Sequence, residues 1–274
     1  AYVLYDFKQE KIKKLFPVDM EALSYSAIPY KDGLIYVKYT NLEDVFEWEV
    51  LYLTENGEKN LFSGTCKDFL LLPSLTLLNE VPLSLWINDK EGTSGMNTMS
   101  DLEVKTVVKK DTNWLMNTTI ATNYDEICFA VRGDSKYAEL VVANEAGIVS
   151  QVRVDGKINA YALTKDYILC GLRDWEETGK CHILRYDFKA DEKENFSTQG
   201  ELYRMCGGTK NDALCVDMHF NIYRIDGDAG RLEKINGVFG FANMPVVFRP
   251  IFDNQVICAY LKDDIYSYYL LRLE

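Results

Sequence analysis

Asp166-Tyr167-Ile168-Leu169-Cys170 is one copy of a phrase that recurs along the chain, an acidic turn residue followed at once by an apolar run. Asp32-Gly33-Leu34-Ile35-Tyr36-Val37, Asp125-Glu126-Ile127-Cys128-Phe129, Asp212-Ala213-Leu214-Cys215-Val216 and Asp253-Asn254-Gln255-Val256-Ile257 repeat it. The leading aspartates are 93, 41, 46 and 41 residues apart, and the long interval is close to twice the others. A degenerate copy, Val81-Pro82-Leu83-Ser84-Leu85-Trp86-Ile87, fills that gap. Short apolar runs rich in β-branched and aromatic residues, bounded by turn residues, read as strands.

A second phrase follows the first in most repeats, as in Val50-Leu51-Tyr52-Leu53, Ile183-Leu184-Arg185-Tyr186-Asp187 and Ile222-Tyr223-Arg224-Ile225-Asp226, with an early member at Val3-Leu4-Tyr5-Asp6. Asn56-Gly57 behind one copy is a hairpin signal, because both residues tolerate positive φ and their turn twists with the strands it joins. Each period of about 41 to 48 residues holds three or four strands. A sheet of that size cannot bury an apolar face alone, so the units must stack. Radial stacking predicts inner strands that are apolar on both faces, and the repeated runs have that character.

The reading is therefore all-β: a six-bladed β-propeller with blades of three to four antiparallel strands. From Asp253 to the chain end and on to Asp32 is 53 residues, about one period, so strands from both termini are expected to close a single domain over 1–274. Phrases of the second kind number seven if Leu102 to Val108 is included, which keeps a seven-bladed or incomplete propeller as the alternative.

The D-x-[LI]-[IY] strand followed by a [VI]-L-x-Y-D-x hairpin and an amphipathic outer strand resembles the irregular β-propellers of bacterial exported and lipid-anchored proteins. That resemblance implies an extracellular or surface-linked binding protein and is specific only to the superfold, since such blades share little beyond this grammar. Trp-Asp repeats, kelch glycine pairs in register and the sialidase turn box are missing: Arg173-Asp174-Trp175 and Gly207-Gly208 each occur once. Localisation stays open, exported if a leader was removed and otherwise cytoplasmic.

The formal charge is −12, from 42 acidic and 30 basic residues, with no stretch where basic and aromatic residues interleave. Such a chain repels polyanions, which argues against nucleic acid as partner. No window has the length of a membrane span. A protein or a neutral glycan is the expected partner, and the sequence leaves the oligomeric state open. Of seven cysteines, Cys128, Cys170, Cys215 and Cys258 occupy the repeated strand, where small buried thiols are expected; without a CxxC pair, no metal site is read.

Two chemistries compete for the site. The leading aspartates Asp32, Asp125, Asp166, Asp212 and Asp253 are expected at one channel mouth, where a carboxylate pair would serve a carbohydrate-active hydrolase or lyase, or a Ca²⁺ ion. Alternatively each accepts bonds from the following backbone N–H groups and is structural. His182 and His219 read as structural, and no G-x-S-x-G elbow accompanies them. Recognition is expected from loops: Trp175 in segment 173–180, and Met96 and Met99 in the polar stretch 88–100. A non-enzymatic binding, sensor or scaffold domain acting through one axial face is the leading function, with the carbohydrate-active enzyme as the alternative.

Overall fold

The structure is a computed structural model that describes residues 2–6, 11–16, 23–133, 137–173, 181–198, 200–207, 210–219, 221–235, 247–252, 255–262 and 265–272. For 2–25 and for 247–272 apart from Ile257, the strand course alone is described. Trp175 and Asp253 lie outside the described residues.

Among the described residues there is no α-helix, and the strands follow one another as antiparallel meanders. A hairpin of β1 (Tyr2–Asp6) and β2 (Lys11–Phe16) comes first. The first four-stranded sheet is β3 (Leu23–Tyr30), β4 (Gly33–Leu42), β5 (Val45–Thr54) and β6 (Gly57–Cys66). The second is β7 (Ser74–Leu78), β8 (Val81–Asn88), β9 (Thr93–Ser100) and β10 (Glu103–Asp111). The third is β11 (Ala121–Thr122), β12 (Ile127–Arg132), β13 (Ala138–Asn144) and β14 (Gly147–Val154). The fourth is β15 (Lys157–Leu163), β16 (Tyr167–Arg173), β17 (Cys181–Asp187) and β18 (Glu192–Ser197). The fifth is β19 (Leu202–Cys206), β20 (Asp212–Asp217), β21 (Ile222–Asp226) and β22 (Arg231–Lys234). Three strands, β23 (Val247–Phe252), β24 (Gln255–Lys262) and β25 (Ile265–Arg272), form the last.

Each leading-aspartate run, the degenerate Val81 copy included, is the second strand of its sheet: β4, β8, β12, β16, β20 and β24. They are inner strands, each with one strand ahead of it in its sheet. Ile127 to Val131 and Ala213 to Asp217 are buried without interruption. A second strand has a partner on both edges and a sheet packed over each face, so it is as apolar as an innermost one. Fourth strands such as β18 and β22 are mostly exposed, as outer edges are. Leu102 to Val108 falls largely in the fourth strand β10, which removes it from the count of third-strand phrases.

Contacts divide the chain into two compact units, one of 1–120, 130–132 and 145–147, the other of 121–129, 133–144 and 148–274. In the first unit Ile35, Val37, Trp48, Val50, Leu75, Trp86 and Met99 make one core. Trp48 stacks edge-on against Phe62 at 5.7 Å and donates its indole N–H to Ile87 O at 3.1 Å, so this bulky side chain is buried with its polar end satisfied. Trp114 is half-buried on a bend.

The second unit packs first strand on first strand, β15 against β19. Ala160 and Ala162 keep that approach close, and Leu169, Ile183, Leu202, Cys215 and Ile225 fill the space behind. Gly207 follows β19 because a Cβ there would lie 2.1 Å from Leu163 O. Cys128, Cys170 and Cys215 are free and fully buried, and burial pushes each thiol pKa up, so they act as small core residues.

Candidate functional site

In the second unit the turns between first and second strands are tied to one another by side chains. Asn123 Oδ1 accepts the N–H groups of Asp125 and Glu126 at 3.1 and 2.8 Å, while its Nδ2 donates to Thr164 O at 2.8 Å. Thr164 Oγ1 accepts Tyr167 N–H at 3.1 Å. In the next turn Asn211 Oδ1 accepts Asp166 N–H at 3.0 Å, and its Nδ2 donates to Asp166 Oδ2 and Asp228 Oδ1, both at 2.9 Å. Lys165 N–H donates to Lys210 O at 3.2 Å. The turn-organising role expected of the leading aspartates therefore belongs to the polar residues just before them, Asn123 and Thr164.

The aspartates themselves go to side chains. Asp32, in the first unit, accepts Tyr52 O–H at 2.5 Å; burial, with this bond behind it, raises the tyrosine pKa to about 12. Asp166 accepts Lys189 Nζ at 2.6 Å as well as Asn211, and the two, the lysine first, hold its carboxyl below the usual range. Asp212 accepts Arg224 Nη2 at 2.5 Å and Nε at 3.2 Å, both on its Oδ2. Asp125 is exposed.

These turns and the β21–β22 hairpin border an open depression of about 580 Å³, lined by Lys165, Lys210, Asn211, Asp212, Arg224, Asp226, Asp228 and Ala229. Arg185 braces its far wall, donating to Gly227 O at 2.5 Å and Asp228 O at 3.0 Å and standing 5.1 Å from the Tyr167 ring centre. Gly227 is required there, since a Cβ would sit 2.1 Å from Asn211 O. Asp226 accepts Ala229 N–H at 2.9 Å and lies 3.5 Å from Arg231 Nε; Asp228 also accepts Tyr167 O–H at 3.3 Å. Within the described residues no group of three or more His, Cys, Asp or Glu side chains is placed to hold a metal ion.

Asp217 closes the next loop. It is 6% exposed and accepts His219 N–H, Asn221 N–H, Asn221 Nδ2 and Tyr223 O–H at 2.8 to 3.0 Å. Burial pushes its carboxyl up, but these bonds outweigh it and the net shift is down. His219 is exposed on the turn after β20, and His182 lies on β17.

Met96 and Met99 are corrected most plainly. Residues 93–100 form strand β9, only 89–92 make a turn, and both methionines are fully buried. They are core residues and present no contact surface. Small polar residues hid the strand: Ser94 is buried and donates to Asp111 O at 2.5 Å, and Asn97 and Thr98 are buried beside it.

No known protein family matches the chain, and no curated protein matches it in sequence. Solved structures do match in fold. The β-propeller domain of the Trilobed protease from Pyrococcus furiosus, described as an open velcro topology, has a TM-score of 0.64 at 10% identity over 91% of this chain and 82% of its own. A chain of a mitotic checkpoint complex gives 0.60 at 8% identity over 99% and 83%, and an oligogalacturonate lyase in complex with manganese 0.59 at 11% over 100% and 82%. The chain is a β-propeller of antiparallel, mostly four-stranded blades. At these identities the likeness is one of fold, and it spans protease, lyase and protein-complex members alike.

Proposed function

We propose that this propeller is a non-enzymatic binding module, recognising a protein or a glycan through the blade end that carries the turns between first and second strands. One observation carries the reading: Asp32, Asp166 and Asp212 are each already bonded to Tyr52, Lys189 with Asn211, and Arg224. A glycoside-cleaving acid needs its pKa raised so that it holds a proton at neutral pH. The described carboxylates whose pKa departs from the ordinary range, Asp101, Asp166 and Asp217, all move down. Loops and turns on a rigid sheet are where propellers offer recognition surface, and the depression beside Asn211 is such a surface.

No helix among the described residues is long and apolar enough to cross a membrane. The proposal keeps the exported or surface-linked setting that the sequence resemblance implied. A panel of glycans and candidate proteins, screened for binding and for product release, tests the reading. Binding without turnover is expected; turnover that disappears in Asp166→Asn or Asp212→Asn would replace it with the carbohydrate-active alternative.

A further inference from the structure

The depression on the second unit brings together two lysines whose ammonium groups no described side chain bonds. Lys165 and Lys210 belong to neighbouring turns joined by the Lys165 N–H to Lys210 O bond, and both side chains are exposed. Among the described residues neither ammonium takes part in a hydrogen bond or an ion pair, although the chain carries a net charge of −12. An acidic protein has carboxylates to spare for pairing with them. Instead every carboxylate lining the depression is bonded elsewhere: Asp212 to Arg224, Asp226 to Ala229 N–H, Asp228 to Asn211 and Tyr167.

We propose that this depression is a binding site for a sugar acid, a ligand with one carboxylate and several hydroxyls, of the hexuronate class. It rests on reading the depression as a recognition surface. Two ammonium groups offer six N–H donors to the ligand carboxylate, and each Asp keeps lone pairs that accept from sugar hydroxyls. A volume of about 580 Å³ lies within the range of small-ligand sites. The wall selects against other ligands. Its one apolar residue is Ala229, which gives an acidic peptide no pocket for an anchoring side chain. Asp212, Asp226 and Asp228 repel a phosphate dianion more than a single carboxylate.

Calorimetric titration of the full chain with a monomeric hexuronate, its neutral hexose counterpart and inorganic phosphate tests the assignment. The hexuronate is expected to bind at least about tenfold more tightly than either other probe, and to weaken with added salt as exposed charges are screened. Lys165→Gln and Lys210→Gln should each weaken it about tenfold, and thermal melts should match the parent because neither side chain holds the fold together. Equal affinity for the neutral sugar or for phosphate, an unchanged Kd in the double variant, or no hexuronate binding by the parent would each overturn the proposal. Binding found in the wider protein and glycan screen under those outcomes would leave the module reading standing without this ligand.

Discussion

Replacing Asn211 by Ala removes the side chain that joins two consecutive turns of the second unit. Three bonds go: the acceptor for Asp166 N–H at 3.0 Å and the donors to Asp166 and Asp228 at 2.9 Å. A bond within a protein contributes about 0.5–1.5 kcal/mol net, more when the acceptor is charged. Asn211 is half-buried and Asp228 exposed, so water recovers part of the loss and the expected cost is about 2 kcal/mol. With a urea slope near 3 kcal/mol/M, the unfolding midpoint should fall by roughly 0.7 M. Asn211→Asp makes a sharper test. It cannot donate, and it sets a third carboxylate beside Asp166 and Asp228, so at pH 7 it should be less stable than the Ala variant. As pH falls below the ordinary carboxylate range this repulsion is lost and that gap should close. A midpoint within 0.2 M of the parent for Ala (roughly 0.6 kcal/mol), or equal stability of the two variants at pH 7, would refute the linkage between turns.

Asp217→Ala should destabilise by about 3 kcal/mol, because it strips the acceptor from four donors around a buried carboxylate, and denaturant melts would read it. Since the folded pKa of Asp217 is depressed, its contribution is complete above the unfolded value near ~4 and is lost as pH falls through the folded value; the difference between parent and variant should shrink accordingly. Gly207→Ala should cost about 2–3 kcal/mol, as a Cβ at 2.1 Å from Leu163 O forces the backbone aside; unfolding curves within error of the parent would contradict the close approach. Met96→Ala should behave as a core truncation and lose about 2–5 kcal/mol in the same assay, where a surface methionine would lose almost nothing.

Period and strand content were legible because the second strand of each sheet is buried on both faces and must be apolar, which makes Ile127 to Val131 and Ala213 to Val216 conspicuous. Their rank within the sheet was not, since burial by two neighbouring sheets looks alike in an innermost strand and in the one beside it. The β9 strand was hidden by small polar residues that close packing buries: Ser94, Gly95, Asn97 and Thr98 read as loop, yet a Cβ on Gly95 would meet Val108 O at 2.1 Å. At the site, the aspartates stood out by repetition, whereas the residues that organise the turns do not repeat in register. Asn123 lies two places before its aspartate, Asn211 one, and Thr164 two. A polar residue ahead of each Asp was the available signal, and its varying offset concealed it. Lys189 comes from the turn after β17 and Arg224 from β21, so their pairing with Asp166 and Asp212 depends on how neighbouring strands are registered, which the sequence does not display.

The claim that the repeated aspartates are structural rather than catalytic is tested most directly by a carbon-detected NMR titration of Asp166. Lys189 and Asn211 should hold its midpoint below the ordinary aspartate value near ~3.9, with Lys189→Gln moving it back up. A midpoint in the parent protein above about 5 would mark a proton held at neutral pH for transfer, and would contradict the account.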